Sequence, residues 1–355
     1  MPTSVLDVLS EKRSLVWAEI EKYLPDLYGP DFSDLPAPKI AALKKFHTDL
    51  VSVYPRRLGK YLRPTLLLLT AQAMGFPLKK ALKTAAAMQT SEDWILIHDD
   101  VEDDSLQRRG APALHQIYGK ELAINAGDGL HILMWQMLWD NRNIIGESKA
   151  AEISTEFINI LKRTVFGQTV EIKWTLENKI DLTDGDVFFI IDGKTVYYSI
   201  AGPMRLGAIL ADATEDQLQQ IFEFGRPLGR CFQIVDDLLD LTSDFSGQKK
   251  QQGNDIYEGK RTIMLAHLLR TIKSSTKNKL IEILLKKRSA KTPDDIIWVI
   301  DQMKQNGSLE YGQKIAEDLA KQAREIMETK LTFLNQQPAR DQLKMIIDFV
   351  LERKY

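Results

Sequence analysis

The sequence predicts an all-α protein: one large helical-bundle domain spanning residues 1–355. Three observations carry that prediction. The 20 glycines and 13 prolines amount to about 9% of the chain, below the roughly 12% of an average protein, so helix breakers are few. Apolar residues recur at spacings of three and four. Alternating apolar–polar runs closed by Asn-Gly or Asp-Gly turns are scarce.

Taken in order, Val5, Leu9, Leu15, Trp17 and Ile20 form a first amphipathic run, and Ile40, Leu43, Phe46 and Leu50 a second. Pro64 to Met74 reads as a buried helix with Pro64 in its first turn, where a missing N–H costs nothing. Leu82 to Asp103 is a long helix that must be finished by Gly110. Further helices follow over Asn125–Met137, Glu152–Trp174, Asp186–Leu210, Thr214–Leu241, Gly307–Phe333 and Asp341–Arg353. Asp184-Gly185 and Asp192-Gly193 read as helix-edge breaks rather than hairpins. The polar stretch Ser243–Lys260 is the one long loop, a candidate lid. No Pro/Ser-rich linker and no repeat divides the chain; the motif-bearing core runs from about 40 to 270, with C-terminal helices over 271–355.

Composition narrows the function classes. A hydrophobic fraction of 44% with 27% charged residues supports a packed core and excludes a disordered chain. With 47 Lys and Arg against 49 Asp and Glu, the net charge of −2 argues against a nucleic-acid-coating surface. Cys231 is the single cysteine, so neither a disulfide framework nor a cysteine-based zinc site is available. No basic n-region and apolar h-region opens the chain, and the most apolar stretch, Pro64–Leu78, is too short to span a bilayer. A cytoplasmic protein that does not span membranes is expected.

Two acidic clusters carry the chemistry. Asp99-Asp100-Val101-Glu102-Asp103 and Asp236-Asp237-Leu238-Leu239-Asp240 both read D-D-x-x-D. On a helix, positions i and i+4 share a face, so Asp99 pairs with Asp103 and Asp236 with Asp240. Like charges at that spacing cost helix stability, and a solvated face is the ordinary explanation. Here both clusters directly follow apolar runs, Trp94-Ile95-Leu96-Ile97 and Phe232-Gln233-Ile234-Val235, which is a poor setting for accidental surface charge. A hard divalent cation such as Mg²⁺, which takes one or two carboxylates and fills its shell with substrate phosphates, is the natural partner. Basic residues lie elsewhere: Lys60 and Arg63 at a helix entrance, Arg108-Arg109 after the first cluster, Lys194 in a helical stretch, and Lys260-Arg261 at the end of the polar loop. Arginine forks with metal-bearing carboxylates are what a diphosphate substrate requires. No G-x-x-x-x-G-K-[ST] loop is present, which argues against a P-loop nucleotide enzyme.

Seven segments in order, GKYLRP, LIHDDVEDDSLQRRGAPALH, INAGD, GQTVE, GKT, FQIVDDLLDLTSD and GNDIYEGKRT, together resemble the trans-type isoprenyl diphosphate synthases. A weaker echo stands at GSLEY, from Gly307. The resemblance implies an all-α bundle with a central cavity, usually a homodimer, and three Mg²⁺ ions with bound diphosphate. It implies that Asp99 and Asp103 bind Mg²⁺ with Asp100 in support, and that Asp236 binds a third ion, with Asp237 and Asp240 acting behind it or through water. Arg108, Lys194 and Lys260 then hold the allylic diphosphate; Lys60, Arg63 and Arg109 hold isopentenyl diphosphate; Thr195 and Gln233 line the carbocation site. Ionisation of the allylic diphosphate, attack by isopentenyl diphosphate and loss of a proton would follow, inside a tunnel that excludes water.

Several positions depart from that pattern. Glu92 stands where many members carry His or Gln, and a carboxylate there would repel a diphosphate, so its role is open. Glu171 replaces the usual aspartate, Lys249 a usual glycine, and Pro227 should kink the helix leading to Phe232. Trp94 matches the aromatic tunnel floor of archaeal-type geranylgeranyl synthases, with Ser91 leaving space around it. The helical wheel itself places Ile95 and Ser91 nearer the line of Asp99. A C20 product is expected, with C15 or longer chains as alternatives. A terpene cyclase would not need Lys60, Arg63 and Arg109, and a regulatory subunit would be expected to lose one acid cluster; neither fits as well.

Overall fold

The computed structural model describes residues 4–29, 34–242 and 252–351. Its helices are α1 (Val5–Ile20), α2 (Ala37–Val51), α3 (Val53–Arg56), α4 (Leu62–Ala73), α5 (Leu78–Glu102), α6 (Leu114–Tyr118), α7 (Lys120–Ile145), α8 (Glu147–Leu176) and α9 (Asp184–Ile191). A π-helical segment, Asp192–Ala201, leads into α10 (Gly202–Leu210) and α11 (Glu215–Thr242). Then come α12 (Asn254–Glu258), α13 (Ile263–Thr271), α14 (Ser274–Leu285), a 3₁₀ turn at Arg288–Ala290, α15 (Pro293–Gln305), α16 (Ser308–Thr329) and α17 (Ala339–Leu351). Two two-residue strands, β1 (Gln107–Arg108) and β2 (Ala111–Pro112), pair antiparallel. Among the described residues no helix is long and apolar enough to cross a membrane.

The chain divides into two compact units. The first draws its described residues from Met1–Thr155, Leu206–Ala213 and Asn335–Leu343; the second from Glu156–Arg205, Thr214–Leu334 and Lys344–Tyr355.

In the first unit α4 is a central element, packed on α1 and α5. Leu66, Leu67, Leu68 and Leu69 are all fully buried, which requires apolar residues around the whole helix rather than a stripe. Each such side chain contributes about 1.5–3 kcal/mol. Gly207 lets α10 approach this helix, since a Cβ there would fall 2.3 Å from the Leu67 carbonyl oxygen. Helix α5 lies along α7. Gly127, in the INAGD segment, makes room for the imidazole of His98, which a Cβ would strike at 2.3 Å. Glycines at positive φ, Gly119 (86°) and Gly146 (84°), bound α7 on both sides.

In the second unit α11 packs on the π-helical segment and on α16. The first of these contacts runs over two glycines: a Cβ on Gly225 would meet the Ala201 Cβ at 2.7 Å, and one on Gly229 the Val196 Cα at 2.8 Å. Helix α11 continues through Pro227, which lies buried between them. The core behind it joins Val196, Cys231 and Ile234 to Met264, Leu268, Ile283, Val299 and Ala316 of the C-terminal helices. Gly229→Ala is therefore expected to destabilise. The intrinsic helix gain of about 1 kcal/mol for alanine is outweighed by about 1–3 kcal/mol of overpacking against a backbone atom, and a melting temperature lower by several degrees is the check.

Two sequence expectations change. Asp186–Leu210 is not one α-helix: Thr183 caps α9 in a capping box with Asp186, and winding switches to π at Asp192-Gly193. The Asp192-Gly193 pair marks this change of winding instead of a break. The polar stretch Ser243–Lys260 contains α12, so it is not a continuous loop; Asp244 and Lys249 lie outside the described residues. Helix α17 is described to Leu351, and the expected end at Arg353 lies outside the described residues.

Candidate active site

The first acid cluster sits at the C-terminal end of α5. The Asp103 N–H closes the helix on the Asp99 carbonyl at 2.9 Å. A helix C-terminus carries partial negative charge, so carboxylates concentrated there are doubly unfavourable and need cations. Arg108 supplies one. Its Nε and Nη2 donate to the Asp100 carboxylate at 3.0 and 2.5 Å, and Nη2 lies 3.4 Å from Asp99 Oδ2. Asp100 is fully buried and also accepts from the Tyr54 hydroxyl at 2.5 Å, while that hydroxyl accepts the Leu114 N–H at 3.2 Å. Burial lowers the Arg108 pKa, but Asp100 and Asp99 outweigh it and hold the guanidinium firmly protonated. Asp99 and Asp103 stay half-buried, so this arrangement leaves Asp100 inside and presents the i, i+4 pair at the helix end.

Arg108 and Arg109 owe their positions to the tight hairpin. The β1–β2 turn places Arg109 (φ 54°) and Gly110 (φ 75°) in the left-handed region, the signature of a type I′ turn. The Arg109 guanidinium reaches Asp93 Oδ1 at 2.8 Å and donates to the Tyr54 carbonyl at 2.9 Å. Gly59 permits this, because a Cβ there would fall 2.9 Å from Arg109 Nη2. Glu92 Oε1 lies 3.2 Å from Arg63 Nη1 and 3.7 Å from Arg109 Nη2. Asp93 is fully buried; desolvation pushes its carboxyl up to about 6 although Arg109 opposes the shift. Lys60 is exposed.

Trp94 stacks flat on His131 of α7, with centroids 3.9 Å apart and planes at 11°. Its indole N–H points to His98 Nδ1 at 3.3 Å, and His131 Nε2 accepts from Trp135 at 2.9 Å. Ser91 is buried, its hydroxyl donating to the Met88 carbonyl at 2.7 Å, and Ile95 is half-buried.

In the second unit the GQTVE and GKT segments meet. A Cβ on Gly167 would strike the Lys194 backbone nitrogen at 2.8 Å, and one on Gly193 the Gly167 Cα at 3.1 Å. That glycine-on-glycine approach brings Lys194 Nζ to Glu171 at 2.6 Å. From the π-helical segment, Thr195 donates to Gln233 Oε1 at 2.7 Å, and Gln233 Nε2 donates to Asp237 Oδ1 at 2.8 Å. Asp236 is exposed, whereas Asp237 is buried. Asp240 turns to α12 and accepts the backbone N–H groups of Asn254 (3.1 Å) and Asp255 (3.0 Å). Desolvation, then the charge of Asp255, raises Asp237 well above the usual carboxylate range and Asp240 to about 7. Lys260 lies 3.3 Å from Asp255 and 2.5 Å from Glu258, and Arg288 holds Glu258 at 3.0 Å.

The donor set fits a hard cation. Carboxylate oxygens are the available ligands, and the raised Asp237 and Asp240 show a cluster whose ionisation a cation would favour. Among the described residues no group of three or more His, Cys, Asp or Glu forms a metal cage by itself.

Within the first unit the structure thus brings together Arg63, Arg108, Arg109, Asp99 and Asp100; within the second, Thr195, Gln233 and Asp237, and separately Asp240 with Lys260 through Asp255. Tyr54, Asp93, Asp255 and Glu258 were not singled out by sequence reasoning. Asp255 and Glu258 were inside the GNDIYEGKRT segment, and Asp93 stood next to Glu92, but Tyr54 left no signal beyond preceding a proline.

The sequence pattern of the polyprenyl synthetase family matches residues 44–303. A short chain isoprenyl diphosphate synthase of Methanothermobacter thermautotrophicus is 33% identical over 298 residues, covering 84% of this chain and 87% of that protein. A geranylgeranyl diphosphate synthase of Sulfolobus acidocaldarius is 32% identical over 304 residues, covering 83% and 87%. The crystal structure of a geranylgeranyl pyrophosphate synthetase from Pyrococcus horikoshii superposes with a TM-score of 0.81 at 27% identity, covering 98% of this chain and 99% of that one. The chain belongs to the polyprenyl synthetase family.

Proposed function

We propose that this prenyltransferase condenses isopentenyl diphosphate with an allylic diphosphate, head to tail, to make geranylgeranyl diphosphate. The observation that carries the reading is the division of labour in the first unit: two half-buried aspartates presented at the end of α5, and a separate pair of arginines, Arg63 and Arg109, gathered on Glu92. A second diphosphate needs its own cations, and a cyclase acting on one diphosphate does not.

Asp99, Asp103 and Asp236 would hold Mg²⁺, three ions in all with the diphosphate bound. Bound Mg²⁺ supplies electrophilic stabilisation of the charge that builds on the departing diphosphate. Arg108 donates to the buried Asp100, and so holds the end of α5 in place for its two neighbours. Lys194 and Lys260, each now facing a carboxylate, are cations for the allylic diphosphate. The Thr195–Gln233 hydrogen bond orients oxygen dipoles that can stabilise a carbocation. Arg63 and Arg109, with Lys60, hold isopentenyl diphosphate.

Purified protein given Mg²⁺, isopentenyl diphosphate and allylic primers from C5 to C15 should release diphosphate and elongate the primer. Absence of any prenyl product across those primers overturns the reading. Trp94, backed by the His131 ring, is the tunnel floor that sets C20. Trp94→Ala should shift the chromatographic profile to longer chains, and an unchanged profile rejects that role.

The active form is proposed to be a homodimer. On α7, Ile124, Ile132 and Trp139 are 43%, 70% and 63% exposed at spacings that place them on one side of the helix. Light scattering after size-exclusion chromatography should return twice the 40.5 kDa chain mass.

A further inference from the structure

The Glu92 carboxylate has no assigned task, and its surroundings are unusual. It is mostly buried, with 13% of its side chain exposed. Its Oε1 serves two arginines, Arg63 at 3.2 Å and Arg109 at 3.7 Å. Among the described residues nothing donates to its other oxygen, Oε2, although that atom is buried too. The neighbouring Asp93 already neutralises Arg109 at 2.8 Å and takes a further hydrogen bond from Gln89 at 3.3 Å. Two guanidinium groups are therefore balanced by two carboxylates. Asp93 is the structural partner: it is fully buried and contacts only Arg109 of the pair. Glu92 is the less committed of the two, shared between two cations and half satisfied.

A diphosphate offers more negative charge and more acceptor oxygens than one carboxylate, and it can accept from guanidinium forks in parallel pairs. It cannot take Arg63 while Glu92 holds it, and a carboxylate left beside it repels it. We propose that Glu92 is a resident competitor for the isopentenyl diphosphate site: it keeps Arg63 and Arg109 gathered while the site is empty and is displaced from Arg63 when the diphosphate binds. This deepens the reading above, since it assigns affinity control at the same arginines. The consequence is a weakened affinity for isopentenyl diphosphate, with no effect on the allylic site. A buried acceptor left without a donor fits a group whose better-solvated state is the displaced one.

The test compares wild type with Glu92→Gln and with Glu92→Met, which keep side-chain length and remove the charge. Two quantities are read: steady-state constants for each substrate, and calorimetric affinity for inorganic diphosphate without Mg²⁺. The expected result is a KM for isopentenyl diphosphate roughly tenfold lower in both variants, with kcat and the allylic KM within about twofold, and inorganic diphosphate bound more tightly by a similar factor. An unchanged or raised KM for isopentenyl diphosphate, with unchanged or weaker diphosphate binding, overturns the proposal and leaves Glu92 as a strut for the arginines. Melting temperatures identify a variant lost to misfolding, and the second variant then decides. A wild-type protein without prenyl product would sink the proposed function, while the diphosphate titration still tests the exchange.

Discussion

Replacing Asp99 and Asp103 together by asparagine is expected to lower kcat by about three orders of magnitude while leaving the fold intact or slightly more stable. The catalytic loss follows from electrostatics: stabilising a departing diphosphate through a bound cation is worth several kcal/mol, and each 1.36 kcal/mol is tenfold in rate. The stability gain has an independent cause. Both residues lie at the negative end of α5, at a spacing where like charges repel, so neutralising them removes an unfavourable pair of about 0.2–0.5 kcal/mol. Asp100 is untouched, so Tyr54 retains its partner and Arg108 keeps its shorter contact, giving up only the 3.4 Å pairing with Asp99. Single-turnover rates and melting curves on the same sample check both signs. A variant with unimpaired turnover would remove the first cluster from the active site; one that loses activity by unfolding would assign it to structure.

The second large effect is expected at Arg109. Arg109→Met should cost about 3–5 kcal/mol of stability, because it leaves Asp93 fully buried without its cation. The wild-type pair is not itself a large source of stability. Burial raises the Asp93 carboxyl to about 6 even with Arg109 alongside, while the same contact raises Arg109. The two shifts point in opposite directions for the pair, and the Asp93 shift decides, since its charged form is the one that desolvation penalises. The folded pKa lies above the unfolded one, so this group stabilises the fold relative to neutral pH below about 4, and that contribution is lost as pH rises from about 4 through 6. In Arg109→Met the window extends to higher pH. Denaturation at pH 8 and pH 5 should show the variant damaged most at pH 8 and partly rescued at pH 5. Adding Asp93→Asn should recover much of the loss at pH 8. Equal destabilisation at both pH values would show that lost packing, not stranded charge, is the cause.

Much of the helical plan was legible because it is local. Apolar periodicity located α4, α5, α11 and α16 to within about four residues, and Pro64 lies in the first turn of α4 as its chemistry requires; α7 begins five residues before and ends eight residues after the expected Asn125–Met137, and α8 begins five residues before the expected Glu152. The paired D-D-x-x-D clusters were legible for the same reason: four residues on a helix fix two carboxylates on one face. The π winding of Asp192–Ala201 was not legible. It accompanies close approaches at Gly167, Gly225 and Gly229, residues remote in sequence, and a local pattern cannot register them. Nor did local pattern reveal Tyr54 beneath Asp100, since the hydroxyl and the carboxylate belong to helices joined only by tertiary packing.

The sequence by itself determined the helical class, the two acid clusters, the basic residues available to a diphosphate and the family the chain resembles. The first three are properties of composition or short-range spacing; the family resemblance rests on seven sequence segments in order. Only the tertiary structure decided which cation answers which carboxylate. Arg108 went to Asp100 and Arg109 to Asp93, Glu92 was shared by Arg63 and Arg109, and Lys194 went to Glu171. Charge pairing depends on distance and burial, and both are set by how helices close on one another. The question Glu92 posed as a carboxylate where a diphosphate would be repelled became, once its two arginines were in place, a question about what those arginines hold when substrate is absent.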